Sequence, residues 1–389
     1  MWAFPFHTDD AGSLDWEGLK SAFPWAKEME GVEQDPVFHA EGDVAIHTEM
    51  VVKELLASSG YRNASERDRR ILFASAVLHD VEKRSTTEKV FEDGRMKVTS
   101  KGHARKGEGT SRAILYRDIP TPFAIRESIC KLVKHHALPV KLFVRDDPRM
   151  EVLKAGLHCD MHMLAVLAEA DMRGRISKSN DLPELLYEIG MFVENCKENG
   201  CYDRTPAFPS DITRFQYFNK EGIWPEQEMF DDTKCNVYIM CGIPGSGKDH
   251  YINKHLSHLP MVSMDSIRRE YRLGRNNKHD KGQVIQMAKQ KAKDYLGDRC
   301  DFVWNATNIT KTSRDNLISL MLPYKPKIHI IYVEKPYERL RRDNLNREFP
   351  VRQSAIEEYI NKLQVPDLTE AHTVAYHIID NDQHDGKSG

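Results

Sequence analysis

Two features of this 389-residue sequence have the residue types and spacing to do chemistry: one glycine-rich stretch, and histidines and aspartates dispersed through the front half. The stretch reads Gly242-Ile-Pro-Gly-Ser-Gly-Lys248, or G-x-x-x-x-G-K. It follows the apolar run Asn236–Cys241 and precedes a helical pattern. Gly242, Gly245, Ser246 and Gly247 let backbone N–H groups wrap a phosphate, and Lys248 at the helix start neutralises β/γ charge. The expected ligand is ATP or another NTP with Mg2+. Asp249 stands where Ser or Thr usually gives a hydroxyl to magnesium, and a carboxylate can hold that ion directly or through water.

A second group follows the apolar pair Met261-Val262. In Ser263-Met-Asp265-Ser-Ile-Arg268, Asp265 is placed to accept a proton from an attacking hydroxyl, and Arg268, one helical turn on, to grip an anion beside it. Further along, Arg339, Arg341, Arg342, Arg347 and Arg352 recur within Glu334–Arg352. Arginines on a closing segment stabilise charge on a moving phosphoryl group, and Arg342 and Arg347 are the two selected for that role. The stretch Arg268–Lys281 sets six basic residues against Glu270 and Asp280, with Tyr271 between them. It reads equally as a strip for a nucleic-acid strand and as a solvated helix face.

The candidate metal ligands are His47, His79, Asp80, His103, His136 and Asp171. His79-Asp80 closes an apolar helix, His47 lies on an earlier one, His103 follows a hairpin signal, His136 ends a helix and Asp171 follows the run Leu164–Ala170. Mixed His and Asp donors suit Mn2+, Co2+, Ni2+ or Zn2+. Two such ions bridged by a carboxylate can activate water and clamp a phosphate oxygen. Lys83, a turn beyond His79, is a possible phosphate contact there, and His39 and Glu41 are candidates to support the ligands. His135 competes with His136 for its place. His158 and His162, four apart, read as structural.

These residues need elements to position them. Residues 44–200 read as helices joined by polar loops. Ser65 caps a helix that runs to His79-Asp80. Thr121 reads as a cap with Pro122 at the first helical position of a helix reaching His135-His136. Glu88–Val98, with Asp93-Gly94 inside it, reads as a hairpin. From about Cys235, short β-branched runs (Asn236–Cys241, Asp301–Asn305, Lys327–Glu334, His372–Ile379) alternate with helical patterns, which predicts an α/β domain with a mostly parallel sheet. The expected division is 1–201, a packed linker 202–233, and 234–389. With 56 Lys and Arg against 59 Asp and Glu, the net charge of −3 excludes a globally basic nucleic-acid coat. The 7 cysteines form no CxxC pair, and there is neither a secretory signal nor an apolar run long enough for a bilayer. A cytoplasmic protein with no membrane partner is the expectation.

The order His47, His79-Asp80, Asp171 resembles the HD phosphohydrolase superfamily over roughly residues 35–200. His103 and His136 match the extra histidines of its two-metal members, and His136-Ala-Leu-Pro139 looks like its H-G-x-P turn. The back half resembles the polynucleotide kinase branch of the P-loop phosphotransferases, through Gly242–Lys248, Asp265-x-x-Arg268, Asn305-Ala-Thr-Asn308 and the arginines Arg342 to Arg347. An all-α HD module ahead of such a kinase is similar to the bacterial HD-Pnk family. The resemblance implies a bifunctional nucleic-acid end-healing enzyme acting on RNA or DNA ends. Its HD domain would remove 2′,3′-cyclic phosphate and 2′- or 3′-phosphate ends, its kinase would phosphorylate 5′-OH ends, and a nucleic-acid ligase would act downstream. Two other readings stay open: a nucleotide-metabolism enzyme pairing a phosphohydrolase with a small-metabolite kinase, and a non-catalytic sensor ordered by ATP and metal.

Overall fold

The computed structural model describes residues 2–8, 13–92, 94–274, 277–347 and 350–379. Asp93 of the expected hairpin turn, Arg275 and Asn276 of the basic stretch, and the polar tail 381–389 lie outside the described residues. The chain divides into two compact units, Met1–Ala207 and Phe208–Gly389. No helix among the described residues is long and apolar enough to cross a membrane.

The first unit is built from helices α1 (Val44–Ala57), α2 (Glu66–Leu78), α3 (His103–Ala113), α4 (Phe123–His135), α5 (Pro148–Gly156), α6 (Met161–Arg173) and α7 (Leu182–Glu198). Asp43 caps α1 by accepting the Ile46 N–H at 2.9 Å, and Ser65 caps α2 by accepting that of Asp68. Every residue of α2 from Ile71 to Leu78 is buried. A helix apolar on all sides must run through the middle of its bundle, so α2 delivers His79-Asp80 into the interior. The cap expected ahead of α4 is corrected: Pro122 itself occupies the N-cap position and the helix starts at Phe123. Thr121 Oγ1 donates to the Ile119 carbonyl at 2.6 Å instead of capping. A buried charge network joins α3 to α4. Arg112 contacts Glu127 (2.8 Å) and Glu108 (3.0 Å), and Lys131 contacts Glu108 (2.8 Å). The expected hairpin is present as β1 (Glu88–Glu92) and β2 (Arg95–Thr99).

The second unit carries a parallel sheet of β3 (Cys235–Cys241), β4 (Met261–Ser263), β5 (Phe302–Asn305), β6 (Pro326–Glu334) and β7 (Thr373–Ile378), in the order β4-β5-β3-β6-β7 among the described residues. Register is fixed by pairs such as Val237 with Phe302 and with Ile328. Strand β3 is central, and its Val237, Ile239, Met240 and Cys241 are fully buried, as a strand covered on both faces requires. The chain leaves β3 toward β4 and β5 on one side, then places β6 and β7 on the other. The carboxyl end of β3 is therefore the switch point where such sheets open a crevice. In this unit α8 (Asp211–Asn219) precedes the sheet; Arg214 reaches the Leu368 carbonyl (3.2 Å) and Asn219 that of Thr369 (2.9 Å). The remaining helices are α9 (Lys248–His255), α10 (Met264–Glu270), α11 (Lys278–Gly297), α12 (Lys311–Met321), α13 (Tyr337–Leu345) and α14 (Gln353–Asn361).

Candidate active sites

In the first unit, α1, the end of α2, the start of α3, the end of α4 and α6 converge on Asp80. Its two oxygens face different neighbours. Oδ2 lies 3.2 Å from His79 Nε2 and 3.6 Å from His47 Nε2. Oδ1 lies 3.3 Å from His103 Nε2 and 3.8 Å from His136 Nε2. Asp171 joins the first side, with Oδ1 3.1 Å from His47 Nε2 and 3.9 Å from His79 Nε2. All six candidate ligands are thus brought together. His135 is not among them: it turns away and meets His158, Nε2 to Nε2, at 3.2 Å. His162 packs against Tyr202 instead, so the pair His158 and His162 does not converge.

The histidine rings are aimed from behind. Nδ1 of His79, His103 and His136 donates to the carbonyls of Ala76 (2.7 Å), Ser100 (2.7 Å) and Val133 (2.8 Å). His47 Nδ1 lies 3.1 Å from the Gly174 carbonyl and 3.1 Å from Glu41 Oε1. Each Nε2 is thereby directed inward, the arrangement that prepares imidazoles for metal. His39 stands behind Glu41, with Nδ1 2.8 Å from its carboxylate. Gln34 holds Lys83 at 2.7 Å, and Lys83 Nζ lies 2.6 Å from Asp80 Oδ2. No sequence signal pointed to Gln34 or to the Gly174 carbonyl.

Three observations fit the donor set to cations. His79 Nε2 and Asp80 Oδ1 are buried and make no hydrogen bond, despite the ionic neighbours just given. His103 and His136 face each other Nε2 to Nε2 at 3.2 Å. Both rings already donate through Nδ1, so two lone pairs meet there and need something positive between them. Burial pushes the His103 and His136 pKa values down, that of His136 to about 4, which keeps both rings neutral. On the other side burial opposes ionisation of Asp80, but Lys83, His79 and His103 more than offset it and hold the carboxyl well below the usual range. Burial also acts against a charged His47, yet its hydrogen bonds to Asp171 and Glu41 raise it to about 9. Carboxylates that hold a proton on His47 would hold a metal cation in its place. The sets His47, His79, Asp80 and Asp80, His103, His136 each hold their donor atoms within 4.8 Å of one another. Asp80 is common to both, which suits a bridging carboxylate between two ions.

In the second unit the glycine-rich loop links β3 to α9 at the switch point. Gly242 has φ +150°, and a Cβ there would sit 2.4 Å from the Val333 carbonyl oxygen, so only glycine fits. Gly245 (φ +87°) faces Arg347, whose Nη1 would be 3.5 Å from an added Cβ. Lys248 Nζ donates to the carbonyls of Gly242 (2.7 Å) and Ile243 (2.9 Å), folding the lysine back over its own loop. Burial pulls its pKa down to about 8. Ser246 Oγ is buried without a hydrogen bond. Asp249 Oδ1 accepts from Asn305 Nδ2 at 2.7 Å, which places the substituted magnesium position beside the end of β5. The Asn305–Asn308 segment is stitched to the loop: the Thr307 carbonyl accepts the Gly242 N–H at 2.9 Å, and Asn308 Nδ2 donates to the Met240 carbonyl at 2.8 Å.

Asp265 opens α10 after β4, where Ser263 supplies the cap. Arg268 Nη1 contacts its Oδ1 at 2.8 Å, while Arg268 Nε is buried with no hydrogen bond. The two selected arginines part company. Both are exposed, but the Arg347 guanidinium reaches the phosphate loop at Gly245, whereas Arg342 projects from α13. Of the other arginines there, Arg339 is buried near Asp343 and Arg341 stacks over the Tyr337 ring.

Comparison with known proteins bears on this second unit. A family model described as an AAA domain matches residues 237–366. Among solved structures, a candidate kinase from Chloroflexus aurantiacus J-10-fl is similar at 16% identity with a TM-score of 0.33, covering 38% of this chain and 86% of its own. A sugar kinase from Janibacter sp. HTCC2649 is similar at 14% identity and a TM-score of 0.29, covering 38% and 85%. Likeness at this level adds no weight beside the loop itself. No curated protein matches the chain. The C-terminal α/β unit thus carries its phosphate loop inside the stretch matched by the AAA-domain model, which implies use of a nucleotide with Mg2+.

Proposed function

We propose that the chain is a nucleic-acid end-healing enzyme of the HD-Pnk type, with an HD phosphohydrolase domain at 1–201, a linker at 202–233 and a polynucleotide kinase domain at 234–389. The observation that carries this reading is the convergence of His47, His79, Asp80, His103, His136 and Asp171 in one unit of a chain whose other unit holds a phosphate loop at the switch point of a parallel sheet. The first centre would take two divalent transition metals such as Mn2+, Co2+, Ni2+ or Zn2+, with His47, His79 and Asp171 on one side, His103 and His136 on the other, and Asp80 between. Such ions supply an activated water and Lewis acidity toward a phosphate. Lys83, held by Gln34 beside Asp80, is positioned to meet a phosphate oxygen of a 2′,3′-cyclic phosphate or a 2′- or 3′-phosphate end.

In the kinase unit, Gly242, Gly245, Ser246 and Gly247 cradle the NTP phosphates, and Lys248 exchanges its two carbonyl partners for them. Asp249, with Asn305, faces the Mg2+ position. Asp265 accepts the proton of the attacking 5′-OH. Arg268 is drawn from Asp265 toward the acceptor's phosphate, and Arg347 and Arg342 neutralise the phosphoryl group in transit. The products, 3′-OH and 5′-phosphate ends, are what a nucleic-acid ligase joins, so such a ligase is the expected downstream partner. The setting proposed is cytoplasmic.

A short RNA with a 5′-OH and a 3′-phosphate, given ATP, Mg2+ and Mn2+, tests the proposal. Lys248→Ala should abolish only 5′ phosphorylation and Asp80→Ala only 3′ dephosphorylation. A wild type that alters neither end while consuming ATP or a free nucleotide would refute end healing and favour the metabolite enzyme.

A further inference from the structure

We propose that the β1–β2 hairpin is a stacking platform for a single-stranded nucleic acid whose 3′ end occupies the His/Asp centre, an inference that rests on the end-healing reading above. Phe91 and Met96 sit directly opposite each other across the two strands, and are 73% and 55% exposed. A large apolar pair in water at the outer part of a two-stranded ribbon contributes little to folding, and such surface on an otherwise polar element marks a contact site.

The hairpin is tied to the centre at both roots. Before β1, the Thr87 N–H donates to the carbonyl of Lys83 at 3.0 Å. After β2, Ser100 carries the carbonyl that aims His103, and its hydroxyl meets Thr87 Oγ1 at 2.7 Å. Asp35 holds β2 through Arg95 (3.3 Å) and the Val98 N–H (3.4 Å), and the residue before it, Gln34, holds Lys83. Platform and centre therefore share one framework. Phe91 lies three residues out from the root at Glu88, on the order of 10 Å along the strand, so a nucleotide at the metals does not reach it and the nucleotides preceding it in the strand do.

Charge selects the occupant. Lys101 and Arg105 at the root are exposed and make no ion pair with a described residue. Free cations at the root of a ribbon that carries an aromatic and a thioether match the phosphates and base faces of one strand, the combination by which single strands are held without reading sequence. A protein partner would need roughly 800 Å² of matching surface, far more than two side chains offer.

The test compares release of phosphate from a 3′-phosphorylated oligoribonucleotide and from a nucleoside 3′-monophosphate. The variants are the double Phe91→Ala/Met96→Ala and the conservative Phe91→Trp. The expected result is an oligonucleotide KM raised about 5- to 100-fold in the double variant with kcat unchanged, mononucleotide kinetics unchanged, and Phe91→Trp close to wild type. A double variant within twofold of wild type on the oligonucleotide would overturn the platform and leave end healing standing. A wild type that releases phosphate from neither substrate would overturn both.

Discussion

Replacing Gly174 by alanine should damage the His/Asp centre from behind. Gly174 follows α6, and its carbonyl lies 3.1 Å from His47 Nδ1. Its φ of −79° suits any residue, so backbone strain is not the obstacle. Space is: an added Cβ would lie 2.6 Å from both the Cα and the N of Val51. Ordinary carbon contacts are about 3.5–4.0 Å, so the backbones must part by roughly 1 Å. Overpacking of this kind costs about 1–3 kcal/mol, toward the upper end because backbone is less able to yield than a side chain. Alanine also restricts the unfolded chain, which returns about 0.4–1 kcal/mol. The net loss of about 2 kcal/mol corresponds to roughly 4–8 °C in the Tm of the first unit. Val51 is one turn beyond His47 on α1, so the same displacement moves the ligand, and loss of a supporting contact typically weakens metal affinity about 10- to 100-fold. Thermal unfolding and Mn2+ titration of Gly174→Ala would measure both effects. A Tm equal to or above wild type with Mn2+ affinity within twofold would refute the reasoning.

Three further outcomes are expected. Arg314 is fully buried, with Nε and Nη2 on Glu370 at 2.7 and 2.9 Å and Nη1 on the carbonyls of Asn308 and Gln364; Arg314→Met strands Glu370 and should cost about 3–5 kcal/mol by denaturant unfolding, where an unchanged midpoint would contradict it. His372 is buried against Phe215, and its Nδ1 accepts the Ile328 N–H at 2.9 Å; burial pushes its pKa down to about 4, so the unfolded chain binds the extra proton and stability falls as pH drops from about 6.5 toward 4, by at most about 3 kcal/mol. His372→Phe should flatten that part of the pH profile, and a slope equal to wild type would count against it. Arg347→Ala should reduce phosphoryl transfer about 100-fold or more and Arg342→Ala far less, because only Arg347 lies against the loop; equal losses in kcat would reverse the assignment.

Legibility followed contiguity. The phosphate loop could be read because its glycines and lysine are adjacent and flanked by a strand and a helix, and β3, β5, β6 and β7 begin and end within a residue or so of the runs that announced them. The six-ligand set was legible only through the order of its residues, which resembles that of a known superfamily, since nothing local joins His47 to Asp171 across 124 positions. Choosing between His135 and His136 was beyond the sequence. Successive side chains on a helix diverge by about 100°, and which of them faces Asp80 depends on how α4 is rotated in the bundle. Gln34 and Lys83 meet over 49 residues with no periodic signal. At Thr121-Pro122, two acceptable cap patterns overlap by one residue, and the hydroxyl settled on the preceding turn.

The dispersion of the ligands also makes the centre a mechanical element. An ion shared by His47 and Asp171 closes a loop of 124 residues, and one shared by His103 and His136 closes a loop of 33. Closing such loops removes freedom from the unfolded chain, so ions bound at the proposed centre would act as reversible staples across the bundle. Chelation would then withdraw more than reactivity: the segments from α1 to α6 would open more often, and cleavage by a protease would reveal it. The same connectivity sets an order of assembly: the set Asp80, His103, His136 needs only α2, α3 and α4, whereas the set joined by His47 and Asp171 waits for α1 and α6 to dock on α2. A nascent chain could therefore acquire its ions one at a time, the site of Asp80, His103 and His136 first and the site that needs Asp171 second.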